Sequence, residues 1–170
     1  NEKNITLNNT KVLKKYFLEF LKSYQSYVPI NHSEDVFIKS AETEEELAIA
    51  YTKDNVLNDM KQNSIIGATF DEKEKLQKIN LAKSALNELK EINSTFKILF
   101  ELAIHSVFIR KAQQLEDNSS AHGGSSSAAI GVIWISANDS MTKTDYQEIF
   151  IHELVHHLIF IDELNHKQFY

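Results

Sequence analysis

The stretch that most limits what this chain can become runs from Ile149 to Glu163 and reads Ile-Phe-Ile-His-Glu-Leu-Val-His-His-Leu-Ile-Phe-Ile-Asp-Glu. Nine of the residues from Ile149 to Ile161 are apolar and none is Gly or Pro, which predicts a helix apolar nearly all round, and such a helix is expected to be buried. Thr144, three before Gln147, reads as the capping box that opens it. On that helix His152 and His156, four apart, share a face at about 6 Å, so both imidazoles can turn a nitrogen to one cation. Glu153 lies one residue round, where its carboxylate is badly placed as a third close ligand but can reach a water on the ion. Buried imidazoles and a buried carboxylate are costly without a partner, and a metal is the usual one. The plainer alternative is a pair of satisfied core histidines. His157 points elsewhere on the wheel and is expected to donate to backbone or to pack.

Composition narrows the chemistry around the motif. The chain has no cysteine, which removes disulfides, thiolate zinc sites and cysteine nucleophiles, leaving His, Asp and Glu as ligands and matching a cytoplasmic setting. A net charge of -6 argues against nucleic acid as a partner, because phosphate binding relies on clustered Lys and Arg. Arg110 is the only arginine, so recognition of a carboxylate would fall to it or to a lysine. No apolar run approaches the roughly eighteen residues of a membrane span, and the polar start Asn-Glu-Lys-Asn is no signal peptide. One domain over 1–170 is expected, and Asn1 in place of a methionine leads us to expect a piece of a longer gene product.

Upstream of the motif the periodicity is largely helical. Val12, Leu13, Tyr16, Phe17, Phe20, Leu21 and Tyr24 predict an amphipathic helix over about Thr10 to Tyr27, ending before Pro29, the only proline, with this stripe either core or partner surface and core packing the commoner outcome. Val36 to Ile38 is a short strand candidate. A second helix is predicted from Thr43 to Met60, with an extended segment over Ile65 to Phe70. Asp71 with Glu74 opens the clearest helix, whose stripe is Leu76, Ile79, Ala82, Ala85, Leu86, Leu89 and Ile92, and Ser94 breaks and recaps it. Beyond Phe96 the pattern is helical at first, and helix or strand stays open near Val107 to Ile109. Residues 117–129, rich in Ser, Gly and Ala, are expected to form a flexible loop. Ile130 to Ser136, β-branched and aromatic, predicts a strand directly before the motif helix, whose edge would lie beside the site and take an extended peptide by backbone pairing. His105 and His122 are further candidate ligands, with ordinary packing the commoner fate of such residues.

The segment Thr144 to Glu163, with the strand before it, resembles the zincin superfamily of metalloproteases. That resemblance implies zinc held by His152 and His156, with Glu153 as general base. Zincins add a third ligand downstream. The metzincin form of the pattern would place Gly at 159 and His or Asp at 162, whereas this chain has Ile159 and Asp162. Without the glycine the helix continues, which puts Asp162 about 9 Å along the axis from His156, too far to share one ion, and Glu163 and His166 further still. The third ligand is then expected from His105, His122, a carboxylate elsewhere, or sequence beyond Tyr170, the last ranked first. The same stretch is also similar to bacterial His-Glu-x-x-His proteins linked to peptide modification, some of them iron and 2-oxoglutarate dependent hydroxylases.

The expected fold is therefore α+β and mainly helical: amphipathic helices, a small sheet and a buried, zincin-like HExxH metal helix. Three functional readings stay open. The first is a zinc metallopeptidase acting on a peptide or protein substrate, without nucleic acid or membrane as partner. The second is an Fe(II) and 2-oxoglutarate dependent peptide-modifying oxygenase. The third is a non-catalytic helical interaction domain with a structural or vestigial metal site.

Overall fold

A computed structural model of the chain describes residues 7–25, 35–40, 70–111 and 123–166. It is α+β and mostly helical. In chain order the described elements are α1 (Leu7–Tyr24), β1 (Phe37–Ser40), α2 (Glu72–Ile92), α3 (Ser94–Ala103), β2 (Ser106–Lys111), β3 (Gly123–Gly124), a 3-10 turn (Ser127–Ala129), β4 (Val132–Ala137) and α4 (Lys143–His166). The helix expected over Thr43 to Met60 and the extended segment up to residue 69 lie outside the described residues.

Local signals explain the helix boundaries. Asp71 caps α2 by accepting from the Glu74 amide while the Glu74 carboxylate accepts from the Asp71 amide, the full reciprocal box. Asn93 closes α2 through its backbone N–H and opens α3 by accepting from the Phe96 amide. The motif helix starts earlier than Thr144 and Gln147 suggested. Thr142 caps it, with its amide and hydroxyl both donating to Asp145 Oδ2, at 2.6 and 2.7 Å. A carboxylate is a stronger acceptor than the Gln147 amide and gains from the positive end of the helix, so the charged box sets the start.

The sheet runs β1-β2-β4-β3, with β1, β2 and β4 parallel and β3 antiparallel on the edge beside β4. The apolar runs Val107 to Ile109 in β2 and Val132 to Ile135 in β4 are what strands buried on both faces require. The open choice at 107–109 is thereby settled as strand. On one face Val107, Ile109, Ile133, Ile135 and Ala137 meet α2, α3 and α4 in a single core. No helix among the described residues is long and apolar enough to cross a membrane.

Two faces differ from expectation. The buried residues of α1 are Thr10, Lys14, Leu18 and Leu21, with Gln25 buried just past its end, while Tyr16 is 70% exposed and Val12, Leu13, Phe20 and Tyr24 are open to solvent. Tertiary hydrogen bonds turn the helix this way: Lys14 Nζ donates to the Ile104 carbonyl, and Gln25 bonds both the carbonyl and the amide of Ile130. The motif helix is also not buried all round. Tyr146, Phe150, Glu153, Leu154 and His157 face inward, but Ile151, Val155 and Ile159 are each about half exposed. The helix lies in the outer layer, where the sheet and its neighbours α2 and α3 reach only one side.

Candidate metal centre

His152 and His156 come together as their spacing requires. Their Nε2 atoms stand 3.0 Å apart on the open side of α4, with ring centroids at 4.7 Å. Two nitrogens on one tetrahedral zinc, each at about 2.0–2.1 Å, would stand about 3.3 Å apart, so the observed separation is close to what a shared ion requires. Without an ion, one ring donates Nε2–H and the other accepts.

Glu153, between them in sequence, is on the inner flank and only 4% exposed. Its Oε2 is buried with no hydrogen-bond partner among the described residues. Orphaned buried carboxylate oxygens are rare because each forfeits its solvation. Trp134 Nε1 and Tyr146 Oη share this state, but neither borders the cleft that Glu153 lines. That cleft, about 510 Å³, lies between the edge strand and the first turns of α4, with Gly123, Asn138, Ser140, Glu148 and His152 among its walls.

The edge beside the site is β3, a correction to the expectation that the strand preceding the helix would supply it. β4 is interior, flanked by β2 and β3. Of the stretch 117–129, residues 123–129 carry β3 and the 3-10 turn, and residues 117–122 lie outside the described residues. Gly123 sits so close to the motif helix that a methyl group there would stand 2.8 Å from Ile149 Cγ2 and 3.2 Å from Glu153 Oε1. Paired glycines inside an otherwise polar segment were the available signal, since close backbone approach is one reason for glycine in a strand.

The remaining histidines have other duties. His157 is fully buried: Nδ1 accepts from the Gly131 amide at 3.2 Å, so its proton sits on Nε2 and goes to the Val132 carbonyl at 3.0 Å. Val132 lies beyond the two residues that β3 pairs, and His157 thus satisfies a carbonyl of β4 past that pairing. Burial pushes the His157 imidazole down to about 4, with the neighbouring His156 acting in the same direction. His105, a candidate ligand, is instead a packed residue. Its Nε2 donates to the Ile130 carbonyl and its Nδ1 accepts from the Ser106 hydroxyl, and burial, then the Lys14 charge, lowers it to about 3.

α4 runs unbroken to His166, and His166 Nδ1 is spent on Asp162 Oδ1 at 2.9 Å. Among the described residues no group of three His, Asp or Glu side chains is placed to hold one ion. His122 and everything past residue 166 lie outside the described residues. Arg110 is buried, bonds Ser136 Oγ through Nε, and is lowered by desolvation, so it does not face the cleft.

No family model matches the chain, and neither a curated protein nor a solved structure does.

Proposed function

We propose that the chain is a metal-dependent hydrolase, a zinc metallopeptidase acting on peptide bonds. One observation carries the reading: two Nε2 atoms 3.0 Å apart, next in sequence to a buried carboxylate whose Oε2 has no partner among the described residues. The donor set suits zinc, a borderline ion that takes imidazole nitrogen, and His152 and His156 would fill two of its positions. Bound there, the ion would polarise the scissile carbonyl and acidify the attacking water to a pKa of about 7.

The protein's own share follows from placement. Glu153 takes a proton from the water as its oxygen bonds to the carbonyl carbon, then passes that proton to the departing amine nitrogen as the C–N bond breaks. β3 presents the sheet edge alongside, where an extended peptide can pair with backbone and lay its scissile bond over Glu153. Gly123, lacking a side chain, lets this edge lie directly against Ile149 and Glu153.

A structural or vestigial site would also show fewer than three ligands among the described residues. Glu153 argues against it, because a purely structural site gains nothing from a carboxylate buried without a partner. Fe(II) with 2-oxoglutarate would use the same two histidines, and metal identity separates it from the zinc reading. Metal analysis of purified protein tests the clamp. Wild type and Glu153→Gln should each carry about one equivalent of zinc. His152→Ala and His156→Ala should carry almost none, and equal content in all four removes the metal centre from consideration.

A further inference from the structure

We infer that the cleft beside Glu153 is a subsite for a basic side chain, so that the peptides this chain handles carry Lys or Arg next to the bond that lies over the glutamate. The inference rests on the peptidase reading for the substrate being a peptide; the charge argument stands on the cleft itself. Its walls carry the carboxylates of Asp145, Glu148 and Glu153, and no described lysine or arginine lines it. The three differ in what they have to spare. Asp145 is engaged by Thr142 at the helix start. Glu148, exposed on the rim, takes no hydrogen bond or ion pair among the described residues. Glu153, 4% exposed, holds Oε2 without a partner on the inner wall.

The cations of this region are committed elsewhere. Lys78 reaches the Asn138 carbonyl and is matched by Asp139 Oδ1 at 3.7 Å, and Lys143 pairs with Glu88 at 2.9 Å. Ser140 spends its hydroxyl proton on Asn138 Oδ1. The cleft therefore offers acceptors and negative potential. Met141 and Ile149 add an apolar surface, which suits the methylene stem of a lysine or arginine whose head reaches the acids. A bare divalent ion fits less well, because no three carboxylates or imidazoles among the described residues are close enough to share one. A guanidinium or ammonium group on a flexible stem needs no such convergence. A volume of about 510 Å³ lies within the usual range of ligand sites, about 300–1,000 Å³.

The test is fluorescence polarisation of the full chain with three labelled, end-blocked, alanine-based hexapeptides carrying Arg, norleucine or Glu at one central position, with zinc and with EDTA. A partly exposed ion pair contributes up to about fivefold in affinity. The Arg peptide should bind about fivefold tighter than the norleucine peptide, the Glu peptide should bind weakest, and Glu148→Gln should erase the Arg advantage while leaving the norleucine peptide unchanged. Equal binding of Arg and norleucine peptides, an Arg preference that survives Glu148→Gln, or no binding of any peptide at millimolar protein overturns the inference. Mass spectrometry of the same zinc-containing mixtures separates the two readings. Glu148-dependent binding without cleavage removes the peptidase and keeps the subsite. Cleavage of all three peptides with equal binding does the reverse.

Discussion

Replacing Glu153 with Gln should make the protein more stable and less active at once. The side chain is 4% exposed and its Oε2 has no partner among the described residues, so the folded state bears a desolvation cost of about 1–3 kcal/mol for that group. Glutamine keeps the shape and removes the ionisable oxygen, but leaves an amide with its own unmet hydrogen bonds, so the recovered part is about 1 kcal/mol. In a chain of this size that raises Tm by about 2–4 °C. Loss of a positioned general base lowers kcat/KM by about 10²–10⁴, or about 3–5 kcal/mol of transition-state stabilisation. The stability arm is a thermal melt of both proteins in EDTA, which removes any linkage to bound metal and needs no substrate. A lower Tm for Glu153→Gln would mean that the carboxylate is a satisfied structural group. A higher Tm with unchanged turnover would place the base elsewhere.

Two further outcomes follow from the buried polar residues. His105 and His157 ionise near pH 6.5 when unfolded but only at about 3 and about 4 when folded. The unfolded chain therefore takes up the protons first: stability is full above pH 6.5 and falls by about 1.4 kcal/mol per pH unit for each histidine as pH drops towards 4, His105 alone continuing below that. A urea midpoint unchanged between pH 7 and pH 5 contradicts this. Gly131→Ala should cost about 3 kcal/mol or more, because φ is +92° and the added carbon would stand 2.4 Å from His105 Cδ2 and 3.1 Å from the Ala103 carbonyl; a variant melting within a few degrees of wild type would show that this turn relaxes freely.

What was readable in the sequence was local. The Asp71 and Glu74 box and the i, i+4 histidine pair each depend on neighbours a few residues away, and each stands in the structure as its spacing implied, while the break expected at Ser94 is made by Asn93, which caps both helices. What hydropathy misplaced was decided at long range. Lys14 and Gln25 look like solvent-facing residues, yet their partners are the carbonyl of Ile104 and the backbone of Ile130, and those two bonds turn the aromatic stripe of α1 outward. The strand at 106–111 was undecidable from periodicity because a strand buried on both faces loses its alternation. The edge strand went unread for a different reason: two glycines carry no pattern, and only their distance from Glu153 shows what they do.

The polar residues that hydropathy could not place converge on the segment that completes the site. Gln25 grips Ile130 by both backbone groups, His105 donates to the Ile130 carbonyl, and the Gly131 amide donates to His157. The Gly131 carbonyl in turn accepts from the amides of both His105 and Ser106. Residues 130–131 are thus held by α1, by the α3–β2 junction and by the motif helix, and they join the 3-10 turn after β3 to the start of β4. Whatever fixes that corner fixes where Gly123 lies against Glu153. His157 stands next to His156 and about 100° round the helix, so one short stretch of α4 contributes a lock on the sheet and half of the clamp. An apolar residue at 157 would fill the same space but leave the Val132 carbonyl and the Gly131 amide without partners. The third histidine of His-Glu-x-x-His-His therefore serves the site through the backbone it holds, with no contact to an ion required.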